Sequence, residues 1–237
     1  MEKFVDKNSM LYWYPKVETM GIPQPITYFT TKGAGWDKSG NYLTWSKKTQ
    51  REIESAIRVF GLPVFIRTDL MSCKHKWEYT CFVKDLSKLE RHLMALAEGT
   101  VSCDIIGRPV NAFVIRQYIP MRNLFTAFWG KMPVNPEIRF FIKDGAVLCW
   151  HWYWIENALE GSNPSLPNWR EVMAQIKREC YSEITGQLTQ YAEVVAKKFK
   201  DEGTWSVDFC QAKTGIWYLI DMALAEESWH PEDCEQR

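Results

Sequence analysis

Apolar and polar residues alternate most regularly near the end of the chain. Trp205, Val207 and Phe209 alternate with Ser206, Asp208 and Cys210, and beyond residues 212–215 the series Ile216, Tyr218, Ile220 alternates with Trp217, Leu219, Asp221. A period of two reads as strand, so these residues predict a hairpin. With residues 212–215 as its loop, Phe209 faces Tyr218 and Val207 faces Ile220. Asp208 and Asp221 then share the opposite face as diagonal neighbours, with Cα atoms roughly 7 to 8 Å apart.

Upstream, the period switches several times. Residues 1–31 are interrupted by Pro15, Gly21, Pro23 and Pro25, which predicts short strands and turns. Residues 31–35, Thr-Lys-Gly-Ala-Gly, lack the lysine and serine of a Walker phosphate loop. Residues 46–60 read as a helix with Ser46 as N-cap, Ile53, Ile57 and Phe60 on one face, and Gly61 closing it. Strands are predicted over 62–67 and 77–83, a helix over 84–98 and a strand over 111–119 ending at Pro120. That order describes a small α+β lobe with an antiparallel sheet. A second series follows: strands over 137–143 and 146–155 joined by Asp144-Gly145, a loop over 160–168, a helical stretch over 169–200 broken near 182–186, the hairpin, and a polar, acidic tail over 225–237. Within the helical stretch, Ile184, Leu188, Tyr191, Val195 and Phe199 form the stripe of a helix packed on a sheet. The resulting division is a short N-terminal region (1–61), a small lobe (62–119), a large lobe (120–225) and a tail (226–237).

Composition narrows the functions open to this chain. Of 237 residues, 29 are Lys or Arg and 29 are Asp or Glu, so the formal charge is zero, which argues against nucleic-acid and membrane-surface partners. Seven cysteines are scattered without a C-x-x-C pair, giving neither a disulfide framework nor a zinc knuckle, and they read as reduced, mostly buried thiols. The start lacks an apolar leader core and no long apolar run follows, which predicts a soluble cytoplasmic protein.

Four polar constellations carry candidate chemistry. Arg67 on a strand, with Lys74 and His75 on the following loop, presents cations suited to a phosphate chain; otherwise Arg67 pairs with an acid such as Asp69 and Lys74 is solvated. Gln117, Tyr118 and Ile119 end an apolar strand, where backbone groups can read an adenine edge or simply terminate the strand. Arg139 shares a strand face with Glu137 and Phe141, either in a cross-strand ion pair or aimed at a transferring phosphoryl group. The run Trp150-His151-Trp152-Tyr153-Trp154 on the next strand stacks a base or packs both faces of a buried strand. Asp208 and Asp221 pair with basic side chains or hold a hard cation such as Mg²⁺.

Taken in order, these pieces resemble the ATP-grasp superfamily, the fold of carboxylate-amine ligases, over residues 62–225. PVFIRTDLMSCKHKW looks like its first nucleotide-binding segment, FVIRQYIP its adenine-contacting segment, EIRFFIKDG the strand whose arginine approaches the γ-phosphate, and WSVDF with WYLIDMA its paired metal-binding strands. The resemblance implies two α+β lobes with antiparallel sheets gripping ATP. It implies phosphate contacts from Arg67, Lys74 and His75, an adenine pocket at Gln117, Tyr118 and Ile119, a catalytic Arg139, and Mg²⁺ on Asp208 and Asp221. The implied reaction is ATP- and Mg²⁺-dependent ligation of an unidentified carboxylate to an amine through an acylphosphate. Where the ligases carry Glu-x-Asn this chain has Asp221-Met222-Ala223, a departure shared in kind with a divergent branch that includes eukaryotic assembly chaperones for a translation initiation factor. The alternative implied is an ATP-binding assembly or interaction module, acting on a protein partner with little or no ligase activity.

Overall fold

A computed structural model of the chain describes residues 6–103, 108–129, 131–231 and 234–236. Residues 1–5, 232, 233 and 237, which belong to the terminal stretches of the division read from sequence, lie outside the described residues. The chain forms two units, one of Pro25–Ile119 and one combining Met1–Gln24 with Pro120–Arg237.

The first element is a helix, α1 (Met10–Val17), where the prolines predicted strands and turns. Ser9 caps it by accepting from Leu11 N, and Met10, Trp13, Tyr14 and Val17 make a buried stripe that outweighs the lost hydrogen bond at Pro15. Lys16 and Tyr12 on this helix both bond the Glu202 carboxylate, at 2.6 Å each.

In the unit of Pro25–Ile119, β1 (Thr27–Phe29) is followed by a small ribbon, β2 (Gly35–Trp36) with β3 (Leu43–Thr44). Gly33 belongs to the stretch that lacks the Walker residues, and its glycine has a packing reason: a Cβ there would overlap the Val110 carbonyl oxygen. Next come α2 (Lys47–Phe60), capped by Ser46 and closed at Gly61 with φ 73°, then β4 (Val64–Thr68), β5 (Phe82–Val83), α3 (Leu89–Val101) and β6 (Phe113–Gln117). The sheet runs β1-β6-β4-β5, antiparallel throughout. Ile53 and Ile57 of α2 and Leu89, Leu93 and Leu96 of α3 pack with Val64, Ile66, Phe113 and Ile115 of the sheet. Each such side chain stabilises the unit by about 1.5–3 kcal/mol.

Two expectations fail here. The strand over 77–83 shrinks to β5, because Lys74–Tyr79 winds into a 3-10 turn that slots Trp77 between Phe65 and Phe82, with ring centroids 5.7 and 5.4 Å away. The helix over 84–98 starts with a 3-10 turn at Leu86–Lys88, capped by Asp85, and runs through Gly99 to Val101. Gly99 lies inside it, at a position where a Cβ would meet Cys73 Sγ at 2.6 Å.

In the other unit, β7 (Phe125–Ala127) and β8 (Met132–Val134) form a hairpin with no counterpart in the sequence reading. β9 (Glu137–Lys143) and β10 (Ala146–Trp152) turn at Asp144 and Gly145, both with positive φ, as a two-residue hairpin requires. After α4 (Glu156–Glu160) the predicted loop is tied down: Ser162 O and Ser165 N bond Trp129 N and Thr126 O. α5 (Trp169–Glu183) continues through a π-helical turn, Ile184–Leu188, into α6 (Thr189–Lys198), so the helix widens where a break was expected. Thr189 Oγ1 donates to the Ile184 carbonyl at 2.8 Å, satisfying a group that the widened turn releases from the regular ladder.

β11 (Trp205–Gln211), β12 (Trp217–Leu224) and β13 (Glu235–Gln236) complete a five-stranded antiparallel sheet ordered β12-β11-β9-β10-β13. α6 packs on β9 and β10, and Phe140, Val207 and Phe209 are fully buried on the helix-covered face, with Tyr191 stacked on Phe209. The tail is ordered in its described residues: a 3-10 turn at Ala225–Glu227 leads back to β13 on the edge of β10. Among the described residues no helix is long and apolar enough to cross a membrane.

Candidate functional site

The hairpin register decides where the two aspartates fall, and it differs from the expectation. The loop is one residue longer, Ala212–Ile216, closed by Ala212 N on Ile216 O, so Cys210 pairs with Tyr218 and Phe209 with Leu219. Continued unbroken, that slip would turn Asp221 to the helix-covered face. A β-bulge at Ile220 adds a second one-residue shift, which returns Asp221 to the uncovered face and sets it directly opposite Asp208. Direct cross-strand partners have Cα atoms about 4.5 to 5.5 Å apart, closer than the expected diagonal.

The next strands continue the row. Asp208 pairs with Arg139 on β9, and Arg139 with His151 on β10, so Asp221, Asp208, Arg139 and His151 line up across four strands on the face not covered by the helices. The second pairing depends on another bulge, at Leu148 of β10. Arg139 Nε and Nη2 donate to Asp208 Oδ1 and Oδ2 at 2.8 and 2.7 Å, a bidentate pair with side chains 13% and 5% exposed. The Tyr153 ring lies 4.7 Å from the guanidinium carbon. Burial alone would ease the proton off Arg139, but the adjacent Asp208 carboxylate outweighs it and the guanidinium is held more firmly charged than usual. Glu137, on the same strand face, is buried and adds to that negative field.

His151 is buried at the end of the row. Its Nδ1 lies 2.9 Å from Trp152 O, which sets that nitrogen as the donor, and its buried Nε2 finds no hydrogen-bond partner among the described residues. Burial first, then the charge of Arg139, lowers its pKa, so the ring is neutral near pH 7 and Nε2 is an acceptor. Asp221 is partly exposed, and its Oδ1 accepts from Met222 N at 3.1 Å. From sequence, His151 reads as a packed histidine in an aromatic run sooner than as a catalyst, and Tyr153 has no role beside Arg139. The register of β9 against β10 carries that information, and it depends on a bulge that periodicity cannot see.

The Pro25–Ile119 unit holds the other predicted residues. Arg67 is buried on β4, with Nε donating to Thr68 O at 3.2 Å and Nη2 to Leu70 O at 3.1 Å, so its guanidinium fastens the strand's own exit. Asp69, the acid offered as a partner for it, is fully buried and accepts from Asn111 N, Asn111 Nδ2 and Ala112 N. Lys74 and His75 open the 3-10 turn after Cys73, whose φ is 49°; Lys74 is half-buried and His75 exposed. Gln117, Tyr118 and Ile119 follow at the end of β6, all partly buried. Gln117 pairs with Val64 in the ladder and donates its N–H to Ile26 O. The Tyr118 ring packs on Phe82 at 5.1 Å, and Phe82 on Trp77, so one aromatic chain ties the strand end to the turn bearing Lys74 and His75. Burial raises the Tyr118 phenol pKa.

Similar solved structures share this fold. C-terminally truncated Cdc123 from Schizosaccharomyces pombe superposes with a TM-score of 0.55 at 12% identity, over 94% of this chain and 87% of that one. N5-carboxyaminoimidazole synthase from Aspergillus clavatus, in complex with ADP and 5-aminoimidazole ribonucleotide, gives 0.52 at 10% identity, over 91% and 43%. The N5-carboxyaminoimidazole synthetase from Staphylococcus aureus, complexed with ADP, gives 0.51 at 10%, over 95% and 44%. The chain thus spans less than half the length of these two enzymes. Among curated protein sequences none is significantly similar to it. A family model of the ATP-grasp domain, the third family of its clade, matches residues 35–237, and the chain belongs to that ATP-grasp family.

Proposed function

We propose that this protein binds ATP with Mg²⁺ and uses it to activate a carboxylate as an acylphosphate for attack by an amine. The observation that carries this reading is the row of Asp221, Asp208, Arg139 and His151 across four strands, which gathers two acids, a fixed cation and a neutral imidazole on one sheet face. The donor set fits a hard cation: two facing carboxylates plus nucleotide phosphates are what Mg²⁺ accepts, and bidentate pairing with Arg139 leaves each Asp208 oxygen a second lone pair. Asp221, the more exposed, and Asp208 would hold it, and the ion when bound would neutralise phosphate charge. Arg139, oriented in advance by Asp208, stabilises the transferring phosphoryl group, and Tyr153 limits its swing. His151 Nε2 accepts a proton from an incoming amine. In the same reading Lys74, His75 and Arg67 serve phosphate, and Gln117, Tyr118 and Ile119 serve adenine.

A second reading, an ATP-binding assembly module with little or no ligase chemistry, is favoured by Ala223, which offers no ligand where the ligases carry asparagine. Both readings require nucleotide binding. Calorimetric titration with ATP and Mg²⁺ is expected to give saturable binding that Lys74→Ala and Asp221→Asn each weaken about tenfold or more. ADP release stimulated by a carboxylic acid and an amine supports the ligase. Binding without turnover across a broad panel of acids and amines supports the module, and no binding at all ends both.

A further inference from the structure

The C-terminal segment brings three soft donors together on the β9–β10 side of the sheet. Cys149 lies on β10, Cys234 immediately precedes β13, and His230 lies between β12 and β13. Cys149 Sγ is 3.0 Å from His230 Nε2, and the donor atoms of all three residues lie within 4.8 Å of one another. Among the described residues this is the one group of three or more histidine, cysteine or acidic side chains so placed. We propose that Cys149, His230 and Cys234 form a zinc site that fastens the C-terminal segment to the sheet.

The donor chemistry selects the ion. Two thiolates and an imidazole suit Zn²⁺ and reject Mg²⁺ or Ca²⁺, which require oxygen. Zn–S and Zn–N bonds of about 2.3 and 2.0 Å in a tetrahedron set donors about 3.5 to 4 Å apart. The observed spacing brackets that, and side-chain rotation closes the difference. Both thiols are buried and His230 is exposed; a fourth ligand, water or a further side chain, would complete the tetrahedron. The surroundings already hold the imidazole, since the His230 ring lies on Phe141 with centroids 4.0 Å apart; the metal-free Cys234 thiol donates to Trp150 O at 3.3 Å, a bond that ligation as thiolate would replace. Cys149 and Cys234 also pack together with Phe141, so without an ion they would serve as ordinary buried apolar groups. What separates the two roles is convergence, because the cysteines come from distant stretches of sequence and meet at one imidazole nitrogen.

Zinc displaces the thiol protons, so binding weakens as pH falls. This proposal does not rest on nucleotide binding. The test uses the full chain, prepared in reductant, equilibrated with zinc sulfate and passed into metal-free buffer. Elemental analysis is expected to find about one zinc per chain, and Co²⁺ in its place is expected to give sulfur-to-metal charge-transfer absorption. Cys149→Ser, Cys234→Ser and His230→Ala should each weaken zinc binding by roughly 100-fold or more, whereas Cys103→Ser, at an exposed cysteine, should not. As a check on folding, chelation should lower the melting temperature of the parent protein and leave that of Cys234→Ser unmoved. No retained zinc, zinc undiminished by Cys149→Ser or Cys234→Ser, or a Cys149–Cys234 disulfide in reduced preparations would overturn the site.

Discussion

Arg139 and Asp208 are each costly to bury and tolerable only together. With side chains 13% and 5% exposed, removing one leaves an uncompensated charge inside the sheet, a loss of about 3–5 kcal/mol for a buried pair. Arg139→Met and Asp208→Leu are therefore each expected to shift the urea midpoint sharply downward, and the double variant to recover most of that loss. Single losses that simply add in the double variant would show that the two side chains act independently. The same pairing bears on chemistry, because a guanidinium held by two short hydrogen bonds needs little reorganisation when a phosphate arrives. Sequence showed both residue types and the strand face each occupies. It did not show that they bond one another, since that depends on how β9 registers against β11.

At the level of elements, α2 and the β9–β10 hairpin were legible because local signals agree with their packing. Ser46 and Gly61 bracket α2, and Asp144-Gly145 turns the hairpin. What was not legible depends on contacts distant in sequence. The 3-10 turn at Lys74–Tyr79 exists because Trp77 has Phe65 and Phe82 to pack between, and α1 because its stripe has a core to enter. Bulges are hidden for a different reason: one extra residue leaves the apolar rhythm on either side intact while reversing which face follows it. The π turn between α5 and α6 gives a test at this scale. Thr189→Val keeps the volume and removes the donor to Ile184 O, so chemical denaturation is expected to show a loss of about 1 kcal/mol. An unchanged midpoint would mean that the widened turn needs no side-chain donor.

For the molecule as a whole, the last described strand matters beyond the residues it carries. β13 pairs with Cys149 and Trp150 of β10, on a strand whose sequence, AVLCWHW, is apolar and aromatic. A strand of that kind with unpaired N–H and C=O groups is a template for another chain. A chain ended after residue 228 is expected to self-associate as its concentration rises in sedimentation experiments, while the full chain does not; a monomeric truncation would show that the edge is guarded by other means. Two residues of backbone pairing are a weak latch by themselves. An ion held by Cys149, His230 and Cys234 would close that latch, so the solubility of the protein, and not only its melting temperature, would depend on the metal supplied during its preparation.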